Sequence, residues 1–183
     1  MSITNPLTGD ILLTTYGSPL GHELIEYPIG VGASGQTLYR GSFAALSGGT
    51  TVTAGYLKNM AVPASSDLVV GMLVDYGPQC GQANTGPGMG GATLNTANGV
   101  LTANVQPGTF LIAVGGSAGD ALTVANIQKS VYCVDEYHVG GLVGTVARPV
   151  AGLLVATPVT DASIPTGYVA VSVGTASGPW GGV

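Results

Sequence analysis

Apolar residues in this 183-residue chain recur mostly with a period of two, and Gly, Pro, Asn or Asp interrupts the runs about every eight to twelve residues. The clearest run, residues 169–173, places three valines on one face and small residues on the other, and Gly174 ends it. A period of two is the repeat of a half-buried strand. The sequence therefore predicts an all-β fold, a compact β-barrel or β-sandwich. The other predicted strands are residues 11–16, 37–45, 51–57, 68–74, 100–105, 109–114, 130–134 and 150–156.

Turn-forming composition divides the chain into a core and three other segments. Residues 31–174 are predicted to form a single β domain. Residues 1–30 contain three Xaa-Pro pairs, which hold the preceding residue extended; they form either an extended arm on a neighbouring subunit or an edge strand. Residues 77–99 contain seven glycines and almost no large apolar side chain, so they are predicted to be a long loop, either a contact loop or a mobile surface excursion. Residues 175–183 are predicted to be a flexible C-terminal tail.

Two predicted strands resemble each other. Residues 69–74 read VVGMLV and residues 150–155 read VAGLLV, each with a glycine in the middle of an apolar run. A glycine inside a strand often marks a bulge or a close backbone approach. The similarity indicates either a duplicated fold or only a residue pattern that unrelated strands share. One helical turn is predicted at residues 120–127, with Asp120 as its N-cap.

Charge is scarce in this chain. Four Lys or Arg and nine Asp or Glu amount to 7% of the residues and a net charge of −5, against about a quarter charged in an ordinary domain. Such a surface suits burial against other protein, so we expect a subunit of an assembly. The basic residues do not cluster, which argues against nucleic-acid binding. Neither a signal peptide nor a membrane-spanning segment is evident, so synthesis in a cytoplasm and no membrane contact are expected.

Residue types that carry chemistry are present without the spacing that catalysis or metal binding requires. His22 is next to Glu23, but adjacent strand residues point to opposite faces. His138 follows a polar turn, and neither histidine has metal-ligand spacing to Cys80 or Cys133. Both cysteines are expected to be free thiols, with Cys133 as a small core residue. We therefore predict no catalytic residues, no metal, no cofactor and no enzymatic activity.

Three residues are candidates for contact with other protein. Trp180 is the single tryptophan and lies in the tail, where it is either frayed or an anchor in a neighbour's pocket. Tyr27 lies in the N-terminal segment and Met89 in the glycine-rich loop. Arg148 and Asp135 both lie at predicted strand ends, and we expect them to form an internal ion pair.

Seven short motifs suggest a family: residues 38–46 (LYRGSFAAL), 55–57 (GYL), 68–71 (LVVG), 119–123 (GDALT), 131–136 (VYCVDE), 148–154 (RPVAGLL) and 167–171 (GYVAV). Their order and spacing resemble those of small β-rich head decoration, or capsid cement, proteins of tailed bacteriophages. The resemblance covers residues 35–75 and 108–174. Residues 1–30 and 77–99 are longer than the family pattern.

The resemblance implies a structural virion protein that coats the exterior of the capsid. Its partners would be the major capsid protein and copies of itself, commonly as a homotrimer, without nucleic acid or membrane. Another virion component, such as a tail, fibre or host-binding module, is the alternative. An enzyme is the third class, and a buried His–carboxylate pair in a cleft would favour it.

Overall fold

The computed structural model describes residues 14–16, 24–30, 38–50, 52–76, 98–141 and 147–174. These residues form an all-β structure of two five-stranded sheets, one of them closed into a barrel, as the sequence predicts. Two short 3₁₀ turns, Ala118–Asp120 and Val124–Asn126, are the helical elements of the described part. The strands are β1 Ile25–Pro28, β2 Phe43–Leu46, β3 Leu57–Lys58, β4 Leu68–Tyr76, β5 Thr102–Gln106, β6 Gly108–Val114, β7 Ser130–Cys133, β8 His138–Gly140, β9 Val150–Ala156 and β10 Tyr168–Val173.

The first sheet has the strand order β1-β5-β4-β2-β3, and all its neighbouring strands are antiparallel. Its two edge strands meet at one point. Ile29, directly after β1, forms a parallel bridge to Leu57 of β3, and the Gly30 N–H donates to the Leu57 carbonyl at 2.9 Å. The first sheet is therefore nearly closed, which covers part of its open edges.

The second sheet is a closed barrel with the order β10-β6-β8-β7-β9. Its pairings are antiparallel except for β6 and β8, which are parallel. Residues 14–16 lie along β6 of the same chain, where Thr15 forms a bridge to Phe110. Residues 25–28 are the edge strand β1, so the described parts of residues 1–30 pair with sheets of their own chain.

The two sheets are repeats of one topology. Strands β1 to β5 correspond in order to β6 to β10, and each pairing in one sheet has a counterpart with the same direction in the other. The parallel bridge between β1 and β3 corresponds to the parallel pair of β6 and β8. The similarity of residues 69–74 to 150–155 is therefore part of an internal repeat that includes all ten described strands.

The repeat extends to the residue register, including both irregularities on the central strands β4 and β9. The partner pairs on either side of each bulge correspond between the two halves. Each first-half pair is followed here by its counterpart: Ala44–Gly71 and Val131–Gly152, Ala45–Val69 and Tyr132–Val150, Leu73–Val105 and Leu154–Val171, and Asp75–Asn104 and Ala156–Ala170. The residues skipped at the bulges therefore correspond as well. A residue pattern that unrelated strands share would not alone reproduce two bulges in register.

The mid-strand glycines are required by close backbone contacts. A Cβ on Gly71 would lie 2.6 Å from the Gln106 carbonyl oxygen, and a Cβ on Gly152 would lie 2.0 Å from that of Ser172. Real Cβ atoms do not approach an oxygen so closely. Each glycine therefore lets a neighbouring strand pass at the bulge, as a glycine inside a strand predicts.

One hydrophobic core joins the two halves. It contains Phe43 and Met72 from the first sheet and Phe110, Val131 and Leu154 from the barrel, all 2% exposed or less. The Phe43 N–H also donates to the carbonyl of Glu136, on the turn between β7 and β8, at 2.9 Å. A second cluster lies within the first sheet alone, and a third, smaller one lies at the barrel beside Tyr16.

Several local sequence predictions differ from the structure; for example, the strand predicted at 37–45 begins only at Phe43, after a turn at residues 40–41. Asp120 is not an N-cap, because it is the last residue of the first 3₁₀ turn; the second turn is capped by Thr123, whose N–H donates to the Asn126 side chain at 2.8 Å. The strand predicted at 51–57 is interrupted by a turn at residues 54–55, where Gly55 takes a φ of +82°, and the strand β3 begins only at Leu57. The strand at 138–140 was missed, since three residues are too few to show alternation.

Candidate interaction surface

An apolar groove of about 510 Å³ opens on the barrel between the second 3₁₀ turn and the turn that follows β9. We call it the barrel groove. None of the side chains that line it is charged. At its rim, Val124 is 46% exposed and Val159 is 83% exposed. Its lining residues are Val114, Ala121, Leu122, Thr123, Val124, Ala125, Thr157, Pro158, Val159, Gly167, Tyr168 and Val169.

The internal repeat explains one side of the barrel groove. In the first sheet, the Ile29 N–H donates to the Leu101 carbonyl at 2.8 Å; in the barrel, the Val114 N–H donates to the Gly167 carbonyl at 2.9 Å. Leu101 and Gly167 are therefore counterparts. Leu101 is 8% exposed and packs beside Ile29, whereas a Cβ on Gly167 would meet only open space. The barrel thus lacks a leucine side chain that the first sheet has here.

The other side of the groove is explained in the same way. Gly41 and Gln128 are counterparts. The Gly41 N–H donates to the carbonyl of Leu73 on β4, and the Gln128 N–H donates to that of the corresponding Leu154 on β9. Three residues before Gly41 lies Leu38, which is 2% exposed and belongs to the core of the first sheet. Three residues before Gln128 lies Ala125, which lines the groove. Two leucines of the first half therefore correspond to a glycine and an alanine in the second.

A polar atom at the groove is also unsatisfied. Thr157 lines the groove and is 2% exposed, and its Oγ1 has no hydrogen-bond partner in the part of the chain that the structure describes. Buried hydroxyl groups almost always have a partner. That atom has almost no exposed surface, so an occupant of the groove would reach it only after the Thr157 side chain rotates.

The structure places one of the three predicted contact residues. Tyr27 lies on the edge strand β1, where it is partly buried against the core of the first sheet. Its side chain therefore contributes to packing within its own chain. Trp180 and Met89 lie outside the described residues, as do the glycine-rich loop up to residue 97 and residues 175–183.

A buried ion pair joins two of the few charges in the first half. Lys58 Nζ lies 2.7 Å from Asp67 Oδ2, and their side chains are 2% and 0% exposed. The Asp67 carboxylate also accepts the N–H groups of Gly48 at 3.0 Å and Ala64 at 2.8 Å. Lys58 donates as well to the carbonyl of Val62 at 3.0 Å. The pair ties the loop before β4 to β3, which is a structural role.

The second half contains a different buried ion pair from the one expected. Arg148 pairs with Asp120, which is 1% exposed, and not with Asp135. The prediction of an Arg148–Asp135 pair is wrong, because proximity to strand ends does not determine which ends meet. Gly115 and Gly140 make room for the Asp120 carboxylate, since a Cβ on either would lie 2.6 Å from one of its oxygens.

Asp135 instead pairs with His138 within the turn between β7 and β8. The His138 ring nitrogen Nδ1 lies 2.7 Å from Asp135 Oδ2, and Asp135 Oδ1 accepts the N–H groups of Tyr137 and His138. The hydrogen bond to Asp135 raises the pKa of His138. Burial opposes ionisation of Asp135, but its bonds to His138 and Tyr137 prevail and lower its pKa. Burial, with the Asp135 charge, raises the pKa of Glu136 to about 7.

The His138–Asp135 pair contains the residue types that would favour an enzyme, but it is neither buried nor part of the barrel groove. Its side chains are 19% and 32% exposed. Its bonds to the turn backbone are those of an Asp-stabilised turn. Among the described residues, no three His, Cys, Asp or Glu side chains are placed to hold a metal ion, and no helix is long and apolar enough to cross a membrane.

Cys133 is a free, fully buried thiol in the shared core, as predicted, and burial raises its pKa well above the ordinary value. Cys80 lies outside the described residues. The sequence analysis did not predict the barrel groove. The groove arises from Ala125 and Gly167, and their small size has no evident meaning until the two halves are aligned.

Comparisons with known proteins do not assign this chain to a family. No protein-family model, no curated protein and no solved structure matches the chain.

Proposed function

We propose that this protein is a structural subunit of a tailed-phage virion that binds the outer face of the capsid shell and stabilises it. The proposal rests on the seven motifs that resemble capsid decoration proteins. Those motifs fall in residues 35–75 and 108–174, which contain the two repeated sheets except for β1 and β5. The proposed partners are the major capsid protein and further copies of the chain, as a homotrimer.

One observation supports this function above the others: five of the few Lys, Arg, Asp and Glu side chains are used in pairs within the chain. Lys58 with Asp67 and Arg148 with Asp120 form buried pairs, and Asp135 binds His138 within a turn. The described surface also includes an apolar groove without a charged side chain in its lining. Surfaces of this kind bind other proteins by burying apolar area.

Repetition would multiply such contacts. Each copy carries two barrel-like halves, and each oligomer carries several copies. Linked sites raise overall affinity by orders of magnitude without stronger individual contacts, provided that geometry lets them engage together. A decoration subunit can therefore hold a shell together through many modest apolar contacts.

Purified protein mixed with empty expanded phage heads, followed by electron microscopy, tests the proposal. We expect ordered density at fixed lattice positions on the outer shell, and its symmetry gives the oligomer directly. Untreated heads from the same preparation are the control. Density on the tail of complete virions would favour the alternative virion component, and absence of binding to heads and virions would reject both.

Attachment should depend only weakly on salt, because exposed charges are few and screening acts on charges. Binding to heads measured at low and high salt checks this. A steep loss of binding at high salt would contradict an apolar contact.

A further inference from the structure

We propose that the barrel groove receives the Trp180 side chain of a second copy of this chain. The inference deepens the self-association part of the proposed function and rests on it. Residues 175–183 follow directly after the last described residue, Gly174, and contain no charged side chain. Trp180 is the single tryptophan of the chain.

The chemistry of the groove matches an aromatic anchor. Its walls are uncharged, and it lies where the first sheet carries Leu38 and Leu101 but the barrel carries Ala125 and Gly167. The missing volume is therefore that of large apolar side chains. An indole supplies such a side chain, and tryptophan is among the residues enriched at the hot spots of protein interfaces.

The indole also carries a donor that the groove can use. Its Nε1–H normally finds a hydrogen-bond partner when the ring is buried. The Thr157 Oγ1 at the groove is a buried acceptor without a partner in the described chain. A rotation of the Thr157 side chain would bring that acceptor to the groove surface, where an indole N–H could donate to it and a leucine or phenylalanine could not.

Chain length favours insertion from a second copy. The groove lies at the start of β10, beside Tyr168 and Val169, whereas the tail leaves from the opposite end, after Val173. Six strand residues separate the two ends, a distance of about 20 Å. Trp180 is six residues beyond Gly174, so even a fully extended tail spans only about 20 to 22 Å.

A return within the same chain would therefore need a fully extended path along β10. Both sides of β10 are occupied, by β6 and by β9. The tail could not pair with the strand that it would have to follow. A second copy can present its tail to the groove without this constraint, and such a head-to-tail contact can close into a ring such as a trimer.

The test uses the full-length protein in solution, without phage heads. Sedimentation across a dilution series gives the association constant, and Trp180 fluorescence reports the surroundings of the single indole. We expect a concentration-dependent oligomer whose emission shifts to shorter wavelength as it forms. Trp180→Ala and Val159→Asp should each weaken association at least tenfold. Val159 is 83% exposed, so the substitution leaves the core intact.

Val100→Asp is the matched control. Val100 is 53% exposed, lies in the first half and does not line the groove. It should leave association and emission unchanged. A monomer at all concentrations, or association that neither Trp180→Ala nor Val159→Asp weakens, would overturn the proposal. Short-wavelength emission from monomers would show insertion within one chain and would overturn it too. Because no shell is present, these outcomes are independent of whether the protein decorates heads.

Discussion

Gly41 and Gln128 occupy corresponding places in the two halves and share one unusual backbone conformation. Their φ angles are +81° and +67°, and Gln128 is the one non-glycine residue of the described chain with a positive φ. Each donates its N–H to a central strand, Gly41 to Leu73 at 2.7 Å and Gln128 to Leu154 at 2.9 Å. The repeated fold therefore requires a positive φ at this position in both halves, but only the first half has a glycine there.

Gln128→Gly should stabilise the protein. A left-handed conformation costs a non-glycine residue about 1–2 kcal/mol, and the extra backbone entropy of glycine offsets about 0.5–1 kcal/mol of that gain. We expect the free energy of unfolding to rise by about 0.5–1 kcal/mol in urea denaturation. Gly41→Ala, the reciprocal change, should lower it. The opposite sign for both variants would contradict the equivalence of the two positions.

Gly152→Ala and Gly71→Ala should both destabilise the fold severely. The added Cβ would meet a neighbouring strand's carbonyl oxygen at 2.0 Å and 2.6 Å, and backbone cannot move aside as a side chain can. We expect a loss of about 3 kcal/mol or more for Gly152, and a smaller loss for Gly71.

Gly116→Ala is the control for this pair, because its Cβ would meet nothing within 4 Å. Thermal unfolding of the three variants measures the difference. Equal midpoints for Gly116→Ala and Gly152→Ala would show that the strands at the bulge can separate without cost.

These glycines also show what the sequence could reveal of the repeat. Gly71 and Gly152 were visible as mid-strand glycines in similar runs, because a close approach admits no other residue. The rest of the repeat lies in strand register and bulges, which are backbone features that many side chains permit. Gly41 and Gln128 share a conformation without sharing a residue type, so identity alone did not reveal them.

The partners in the ion pairs could not be predicted from the sequence, for a related reason. Asp120 and Arg148 are far apart along the chain and meet because Gly115 and Gly140 leave space for the carboxylate. Asp135 was the nearer candidate along the chain, but its own turn already binds it to His138. Composition and the alternation of apolar residues predicted the all-β class. The Asp120–Arg148 pair could be identified only from the folded barrel, because its two residues are far apart along the chain.

Lys58→Met should cost about 3–5 kcal/mol of unfolding free energy. The substitution keeps the length of the side chain but leaves the Asp67 carboxylate buried without its cation, and an unpaired buried charge is strongly destabilising. Lys129→Met, at an exposed lysine, is the matched control and should change stability little. Guanidinium denaturation of the two variants makes the comparison. A cost below about 1 kcal/mol for Lys58→Met would mean that Asp67 escapes to solvent.

Stability should fall as the pH rises from about 4.5 to above 7. The pKa of Glu136 is raised from 4.5 to about 7 by burial and by Asp135, so the folded protein holds a proton that the unfolded chain releases over this window. His138 acts in the same direction at higher pH, because its pKa is raised above 6.5 by its bond to Asp135. The lowered pKa of Asp135 opposes this only in acid, below its ordinary 3.8.

The variant Glu136→Gln separates the contribution of Glu136 to the pH dependence of stability from that of His138. Each unit of pKa shift corresponds to about 1.4 kcal/mol, so the glutamate should account for a loss on the order of 2–3 kcal/mol between pH 4.5 and 7. In Glu136→Gln that slope should flatten, while the decline from His138 above pH 6.5 remains. Urea unfolding at a series of pH values measures both, with Glu26→Gln, an exposed glutamate on β1, as the control. A slope that Glu136→Gln leaves unchanged would mean that the Glu136 carboxyl ionises freely in the folded protein.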